Sequence, residues 1–323
     1  MNIGREPTRR DAVRLKHSGC RCSQGRVYAT SLNFAARMKA VIPAAGLGSR
    51  FLPHTKAQPK EMLPVVDKPV IQYVVEEAVE CGLRDILIVT GRGKRAIEDH
   101  FDKNIELENH LAGSDRLGSL QQLKQLMEKA RIMYVRQPSP RGLGDAVVQA
   151  ESYVADADFA VLLGDDITMN PPCMDALIHA HKRIGGSILA LQEVPRNEAG
   201  RYGMVVGKEI DDGVMRIEDI VEKPTSNQVR SNLATIGRYI LTPGIFTLLR
   251  RTPLGVGGEL QLTDGIRGLL AHEDVYGVRY SGRRYDVGDK IGWLCANLEL
   301  ALARDDLQKE LTAFIRNLTK PDT

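Results

Sequence analysis

Residues 40–69 read AVIPAAGLGSRFLPHTKAQPKEMLPVVDKP. The run opens with Ala40-Val41-Ile42, apolar without alternation, as in a strand buried on both faces of a parallel sheet. Pro43 ends it, and Ala44-Ala45-Gly46-Leu47-Gly48-Ser49-Arg50 follows. Small residues there let the chain turn sharply and bring successive backbone N–H groups close to a ligand, as in an anion-binding nest. Arg50 adds a planar fork of donors suited to phosphate. Lys60 comes at the end of a segment stiffened by Pro53 and Pro59. A strand, a small-residue loop, an arginine and a tethered lysine, in that order, suit a polyphosphate. The GxG alone reads rather as an ordinary strand-to-loop turn. It lacks the third glycine of a dinucleotide fingerprint and the Gly-Lys-Ser/Thr of a Walker loop.

Working outward, strand-like apolar runs recur at Asp85–Thr90, Ile132–Arg136, Phe159–Leu163 and Ser187–Leu191. Helical patterns separate them: Pro69 to Cys81, with a stripe from Val70 to Val79 ending at Gly82, then Arg95 to Phe101, then a charged region from Asn104 to Ala130 that reads as two helices. Arg92-Gly93-Lys94 reads as a solvated turn and not as a second phosphate loop. This alternation over residues 38–192 predicts an α/β fold with a doubly wound, Rossmann-like, mostly parallel sheet. Beyond Glu193 the pattern turns to strands at Tyr202–Val206, Gly213–Val221 and Leu233–Leu241, an antiparallel layer added to the main sheet. A short helix is expected over 243–250, another opening in 257–264, a strand at Val275–Tyr280, and helix over 289–317.

Three places carry further chemistry. Gln137-Pro138-Ser139-Pro140-Arg141-Gly142-Leu143-Gly144-Asp145 follows the third strand. Its prolines and glycines fix a loop that presents the Gln137 amide, donor and acceptor together, beside the backbone of Gly142. That suits a pyrimidine edge, but taken alone the loop is a common one and Gln137 reads as a surface side chain. The fourth strand ends in Gly164-Asp165-Asp166, at the carboxyl end of the sheet where such folds bind ligands. Hard oxygens there favour Mg²⁺, while capping of the following helix is the other reading for one of the pair. Glu222-Lys223 sets opposite charges side by side, which on a surface is usually a solvated pair.

Taken whole, GxGSRFLPxTKxxPKEMLPVxDKP over residues 46–69 resembles the nucleotide-binding motif of the sugar-1-phosphate nucleotidyltransferases, most closely their uridylyltransferase branch. The resemblance extends over about residues 38–315. It implies that Ala44, Ala45, Gly46 and Gly48 wrap the nucleotide, that Arg50 and Lys60 bind its phosphates, and that Gln137 and Gly142 read its base. It also implies that Gly203, in Arg201-Tyr202-Gly203, meets the hexose, that Glu222 takes sugar hydroxyls, and that Lys223 takes the sugar phosphate. The resemblance likewise implies that Asp286, in the run Tyr285–Lys290, pairs with Asp165 to hold Mg²⁺. Arg50, Lys60 and Lys223 are the expected catalytic cations. The run Gly257–Asp264 favours uridylyl over thymidylyl transfer. Ser49 stands where threonine is commoner and Asp289 where asparagine is; the resemblance assigns no role to Asp145, Asp166 or Asp289.

The implied reaction is Mg²⁺-dependent transfer of UMP from UTP to α-D-glucose 1-phosphate, giving UDP-glucose and pyrophosphate. The rivals are glucose-1-phosphate thymidylyltransferase or another sugar-nucleotide pyrophosphorylase and, outside the class, a non-catalytic sugar-nucleotide-binding regulator. A homodimer or homotetramer in the cytoplasm is the implied setting. The expected organisation is one catalytic domain over 38–318: a nucleotide-binding half to about 192, a sugar-binding half to about 288, and C-terminal helices over 289–318.

Composition agrees with a soluble enzyme. With 323 residues, 43% hydrophobic and 26% charged, the chain can build a large core. No apolar run approaches the roughly 20 residues of a membrane span. The net charge of +3 is uneven, because residues 1–37 hold eight Arg or Lys against Glu6 and Asp11, leaving −3 for the remainder. That remainder points to no nucleic-acid partner. The arginine and serine content of 1–37 loosely suggests a transit peptide. The favoured alternative is upstream sequence preceding a true start at Met38; either way the segment is expected to be disordered. Five scattered cysteines, Cys20-x-Cys22 among them, read as free thiols of a reducing cytosol.

Overall fold

The structure, a computed structural model, describes residues 38–111 and 117–318. The expectations for residues 1–37, including Cys20-x-Cys22, lie outside the described residues. In chain order the strands are β1 (Lys39–Pro43), β2 (Pro64–Val65), β3 (Lys68–Pro69), β4 (Asp85–Thr90), β5 (Arg131–Arg136), β6 (Phe159–Leu162), β7 (Asp166–Met169), β8 (Ser187–Glu193), β9 (Gly203–Asp211), β10 (Val214–Glu222), β11 (Leu233–Leu241), β12 (Val275–Arg279) and β13 (Arg283–Asp286).

Nine strands form one sheet in the order β5-β4-β1-β6-β11-β8-β12-β10-β9. β5, β4, β1 and β6 are mutually parallel, and β8 is parallel to β12. The apolar runs lack alternation because both faces of the sheet are covered. Ala40 and Ile42 of β1, with Ile86 and Ile88 of β4, pack under the helices Val70–Glu80 and Cys173–Ile184. Val41, Leu87 and Val89 pack on the other face, with residues of the helices Leu143–Val148, Gly244–Leu249 and Leu262–Leu269.

The antiparallel strands belong to this same sheet. β11 lies between β6 and β8, antiparallel to both, and all nine of its residues are buried. Thus the strand that sequence places in the added layer fills a central slot. A separate antiparallel pair joins β7 to β13 and sets Asp286 opposite Asp166. A small core of Phe51, Leu63, Val65, Val70, Ile167, Tyr285, Val287 and Ala296, with Trp293 against it, clamps the lysine segment to that pair and to the helix Lys290–Leu302.

Candidate active site

β1 delivers the chain into the small-residue loop at the carboxyl end of the parallel strands. The Ala44 N–H still continues the sheet, donating to Val89 O at 2.9 Å. The next four N–H groups, of Ala45, Gly46, Leu47 and Gly48, have no partner among the described residues. Gly48 is left-handed at φ 68°, and a Cβ there would stand 3.1 Å from Thr55 Cγ2 and 3.2 Å from Lys60 Cβ. Thr55 Oγ1 closes the loop by donating to Gly48 O at 2.7 Å.

Lys60 is brought under this loop, its Nζ 3.8 Å from where a Cβ of Gly46 would be. It forms an ion pair with Asp165. Burial alone would lower the Lys60 amine, but Asp165 and Glu61 outweigh it and hold the group above its ordinary value. Burial likewise pushes the Asp165 carboxyl up, and the charge and hydrogen bond of Lys60 bring it below the usual carboxylate range. Glu61, next in the chain, is buried and accepts from Lys94 Nζ at 2.7 Å. This corrects the reading of Lys94 as part of a solvated turn. Arg92 and Gly93 are exposed, but Lys94 points inward and ties that turn to the lysine segment.

Asp165 and Asp286 meet over Gly288, whose missing Cβ would lie 2.9 Å from Asp165 Oδ2, 3.0 Å from Asp286 Oδ1 and 3.5 Å from Arg50 Nη1. Arg50 Nη1 donates to Gly288 O at 3.3 Å. Three of the predicted residues, Arg50, Asp165 and Asp286, therefore meet at one glycine, and Lys60 joins them through Asp165. Asp166 turns away. It accepts from Arg284 Nε at 2.9 Å through each oxygen and from Gly237 N at 3.1 Å. Behind it, the fully buried Arg238 donates to Glu77 Oε2 at 2.6 and 2.9 Å and to Asp166 O at 2.7 Å. Asp166 is thus not a helix cap, and although it borders the cavity described next, its carboxylate is held by these donors.

Beyond the carboxylates lies a cavity of about 160 Å³, lined by Asp165, Tyr202, Gly203, Glu222, Thr263 and Asp286 among others. Thr263 Oγ1 donates to Glu222 Oε2 at 2.7 Å. A Cβ at Gly203 would meet Thr235 Oγ1 at 2.9 Å, which is why the chain is bare there. Lys223 follows Glu222 with φ 43°, a left-handed conformation that costs a non-glycine residue roughly 1–3 kcal/mol. Its N–H is held by Tyr202 O at 2.9 Å, and its Nζ lies 3.4 Å from Glu222 Oε1. Lys223 therefore stands beside the cavity, and not in the cluster around Gly288.

The base loop is folded in on itself. Gln137 is buried, and its Nε2 donates to Asp145 Oδ2 at 2.7 Å and Gly142 O at 3.1 Å. Its Oε1 has no partner among the described residues. Arg141 Nη2 holds the other oxygen of Asp145 at 2.8 Å, which gives Asp145 the task of fixing the loop. Gly142, at φ 108°, must be glycine because a Cβ would fall 2.6 Å from Leu260 O. Leu260 N donates to Arg141 O at 2.7 Å and Leu260 O accepts from Gly144 N at 2.8 Å, so residues 259–261 latch the loop from the sugar side.

Sequence reasoning passed over Arg201, Tyr202, Thr263, Arg238 and Glu77. Arg201 Nη2 donates to Asp286 Oδ2 at 3.1 Å and also pairs with Asp289, while Tyr202 Oη lies 3.3 Å from Asp286 Oδ2. Asp289 caps the helix Lys290–Leu302, accepting from Gly292 N at 2.9 Å. Arg238 carried a signal, being the one charge in the run LATIGRYIL. Arg201 and Tyr202 carried none beyond lying next to Gly203.

Comparison with known proteins identifies the family. The family described as Nucleotidyl transferase matches residues 39–301. A UTP–glucose-1-phosphate uridylyltransferase of Bacillus subtilis is 47% identical over 281 residues, covering 87% of this chain and 96% of the relative. UTP–glucose-1-phosphate uridylyltransferase 1 of Staphylococcus saprophyticus is 48% identical over 283 residues, covering 87% and 99%. Among solved structures, a UDP-glucose pyrophosphorylase complexed with UDP-glucose superimposes with a TM-score of 0.78 at 40% identity, over 83% of this chain and 99% of the other. A UTP-bound UGPase from Acinetobacter baumannii does so with a TM-score of 0.80 at 38% identity, over 87% and 99%. With its loop, its lysine segment and its paired aspartates in one cleft, the chain belongs to the nucleotidyl transferase family.

Proposed function

We propose that the protein transfers UMP from UTP to α-D-glucose 1-phosphate, releasing pyrophosphate and forming UDP-glucose. The observation that carries this reading is the meeting of Arg50, Asp165 and Asp286 around Gly288, with Lys60 on Asp165, between a loop of free amides and a polar cavity. Both substrates are anions, so the obstacle is their mutual repulsion. The amides of residues 45–48, with Arg50 and Lys60, hold the triphosphate. Lys223 takes the phosphate of the sugar, while Gly203 and Glu222 accommodate its ring and hydroxyls. An oxygen of the sugar phosphate then attacks the α-phosphorus as the pyrophosphate leaves on the opposite side. Held so, the two reactants gain the rate advantage of proximity, and the cations meet charge as it develops. The Oε1 of Gln137 remains as an acceptor for a base N–H, inside a loop held by Asp145 and Leu260.

Asp165 and Asp286 fit Mg²⁺, since they are two hard-oxygen donors converging on one point beside the phosphate loop, and this ion takes one or two carboxylates together with phosphate oxygens. When bound, the ion would neutralise phosphate charge and align the reacting groups. The same reading divides the domain into a nucleotide half over 38–192 and a sugar half over 193–288, with C-terminal helices following. It makes the protein a cytoplasmic homodimer or homotetramer. The exposed Ile291, Leu294 and Phe314 support contact with a second copy, and the free Cys81, Cys173 and Cys295 support a reducing compartment.

The test is pyrophosphate release from UTP, dTTP, CTP, ATP and GTP with glucose 1-phosphate, with and without Mg²⁺. UTP should be used fastest and the metal-free reaction should be silent. Equal use of dTTP would replace the uridylyl assignment with a broader pyrophosphorylase. Tight UDP-glucose binding without turnover would make the protein a regulator.

A further inference from the structure

Both proposed metal-binding carboxylates already carry a side-chain cation: Lys60 on Asp165, and Arg201 on Asp286. Lys60 has a destination in the reaction, the phosphates beside the loop. Arg201 has none so far, and its surroundings supply one. A single nitrogen, Nη2, contacts both Asp286 and Asp289. The two acceptors differ in freedom. Asp289 is fixed by its helix, Oδ1 accepting from Gly292 N while Oδ2 faces Arg201, and the helix N-terminus favours its negative charge. Asp286 gives Oδ1 to Gly288 N at 3.1 Å, and its Oδ2 faces Arg201 and the Tyr202 hydroxyl, with the buried Arg284 Nη2 farther off at 4.0 Å and already committed to Asp166. Arg201 itself is 43% exposed, its other nitrogen, Nη1, lying 3.8 Å from Glu198 Oε2.

We propose that Arg201 is the resident counter-cation of the metal site, surrendering Asp286 to an arriving divalent ion while Asp289 keeps it from drifting back. This rests on the reading of Asp165 and Asp286 as the metal carboxylates. In the free protein, Arg201 offsets the repulsion between Asp286 and Asp289. Once the ion is bound, a guanidinium left on Asp286 would oppose it, and Asp289 offers a second carboxylate on the same nitrogen. Asparagine at 289 would keep the helix cap through its carbonyl but lose the ionic hold. The aspartate at this position then acts on the metal site without touching it.

The test is Mn²⁺ titration of the nucleotide-free protein, with unbound Mn²⁺ read by electron paramagnetic resonance. Arg201→Gln and Arg201→Ala should each bind Mn²⁺ more tightly, by roughly threefold to fivefold, the scale of one exposed ionic contact. Asp289→Asn should bind it more weakly by a similar factor, and should have no effect in an Arg201→Ala background. A merely structural Arg201 would give the opposite sign or none, because its loss would loosen the site. Asp286→Ala separates the two failures. If it binds Mn²⁺ as the parent does, the metal-site reading falls. If it loses binding while Arg201→Ala fails to tighten it, only the counter-cation role is overturned.

Discussion

Asp165 and Asp166 are neighbours in the chain with opposite surroundings. On the inner side, Asp166 is 3% exposed, and its oxygens are taken by Arg284 and the Gly237 N–H, with Arg238 and Glu77 sealing the layer beneath. On the outer side, Lys60 is the only side-chain partner of Asp165 among the described residues, and Asp286 faces exposed Arg201. The residue types are the same on both sides. The partners separate them: Asp166 borders the cavity but is held by a buried arginine and a backbone amide, while the outer carboxylates are held by the side chains of Lys60 and the exposed Arg201.

The hardest blow to that contrast would come at Arg238. Arg238→Met leaves Glu77 charged and buried, and should destabilise the fold by about 3–5 kcal/mol in urea unfolding. A shift within about 0.5 kcal/mol, the range of an ordinary surface substitution, would show the inner cluster to be dispensable. Next, Asp165→Asn should leave stability near that of the parent and lower kcat about 10²–10³-fold, as loss of a group that organises charge in the transition state does. Asp166→Asn should do the reverse, losing about 1–3 kcal/mol of stability with turnover per folded molecule largely kept. If the two exchanged phenotypes, the division into inner and outer roles would be wrong.

Smaller effects sharpen the outer side. Gly142→Ala drives a methyl into Leu260 O, and by the usual penalty of overpacking should cost about 1–3 kcal/mol, raising KM for UTP more than for glucose 1-phosphate. Lys223→Ala should raise KM for glucose 1-phosphate about tenfold, the low end for a hydrogen bond to a charged group, with KM for UTP unchanged. The smallest effect concerns pH. Lys60 is raised and Asp165 lowered, so the contribution of their pair is present throughout the neutral range. It is lost as pH falls through the lowered Asp165 value or rises through the raised Lys60 value. The difference in melting temperature between parent and Lys60→Met should therefore stay flat from about pH 6 to 9 and shrink below about pH 4.

Much of this was legible because local pattern and burial coincide. Asp85–Thr90 and Leu233–Leu241 match their expected strands residue for residue. The motif residues also follow one another along the chain in recognisable runs. What stayed hidden are partners set by the topology. Arg238 announces a buried charge within LATIGRYIL, yet its partner Glu77 lies 161 residues away on a helix that also carries Glu76 and Glu80. Asp289 reads as an unexplained departure until Arg201, 88 residues distant, is seen on it. Lys94 reads as solvated because nothing local shows that Glu61 waits beneath it. Gly142 reads as a contact for a nucleotide, whereas the atom that forbids a side chain there is a carbonyl from residue 260.

The central place of β11 limits how this gene could be divided. A polypeptide stopping at residue 192 would hold most of the phosphate-binding apparatus, yet β6 and β8 would face a vacant lane lacking the ladder partner that the later half supplies. Two fragments cut there should be insoluble when made apart and should recover only when produced together, by complementation across the gap. A junction for permutation or for inserting a reporter is better sought at Gly213, a left-handed turn joining β9 to β10 at the far rim of the sheet. A Cβ there would meet nothing among the described residues, and the carbonyl's bond from Arg279 N at 2.8 Å is the ladder contact at stake.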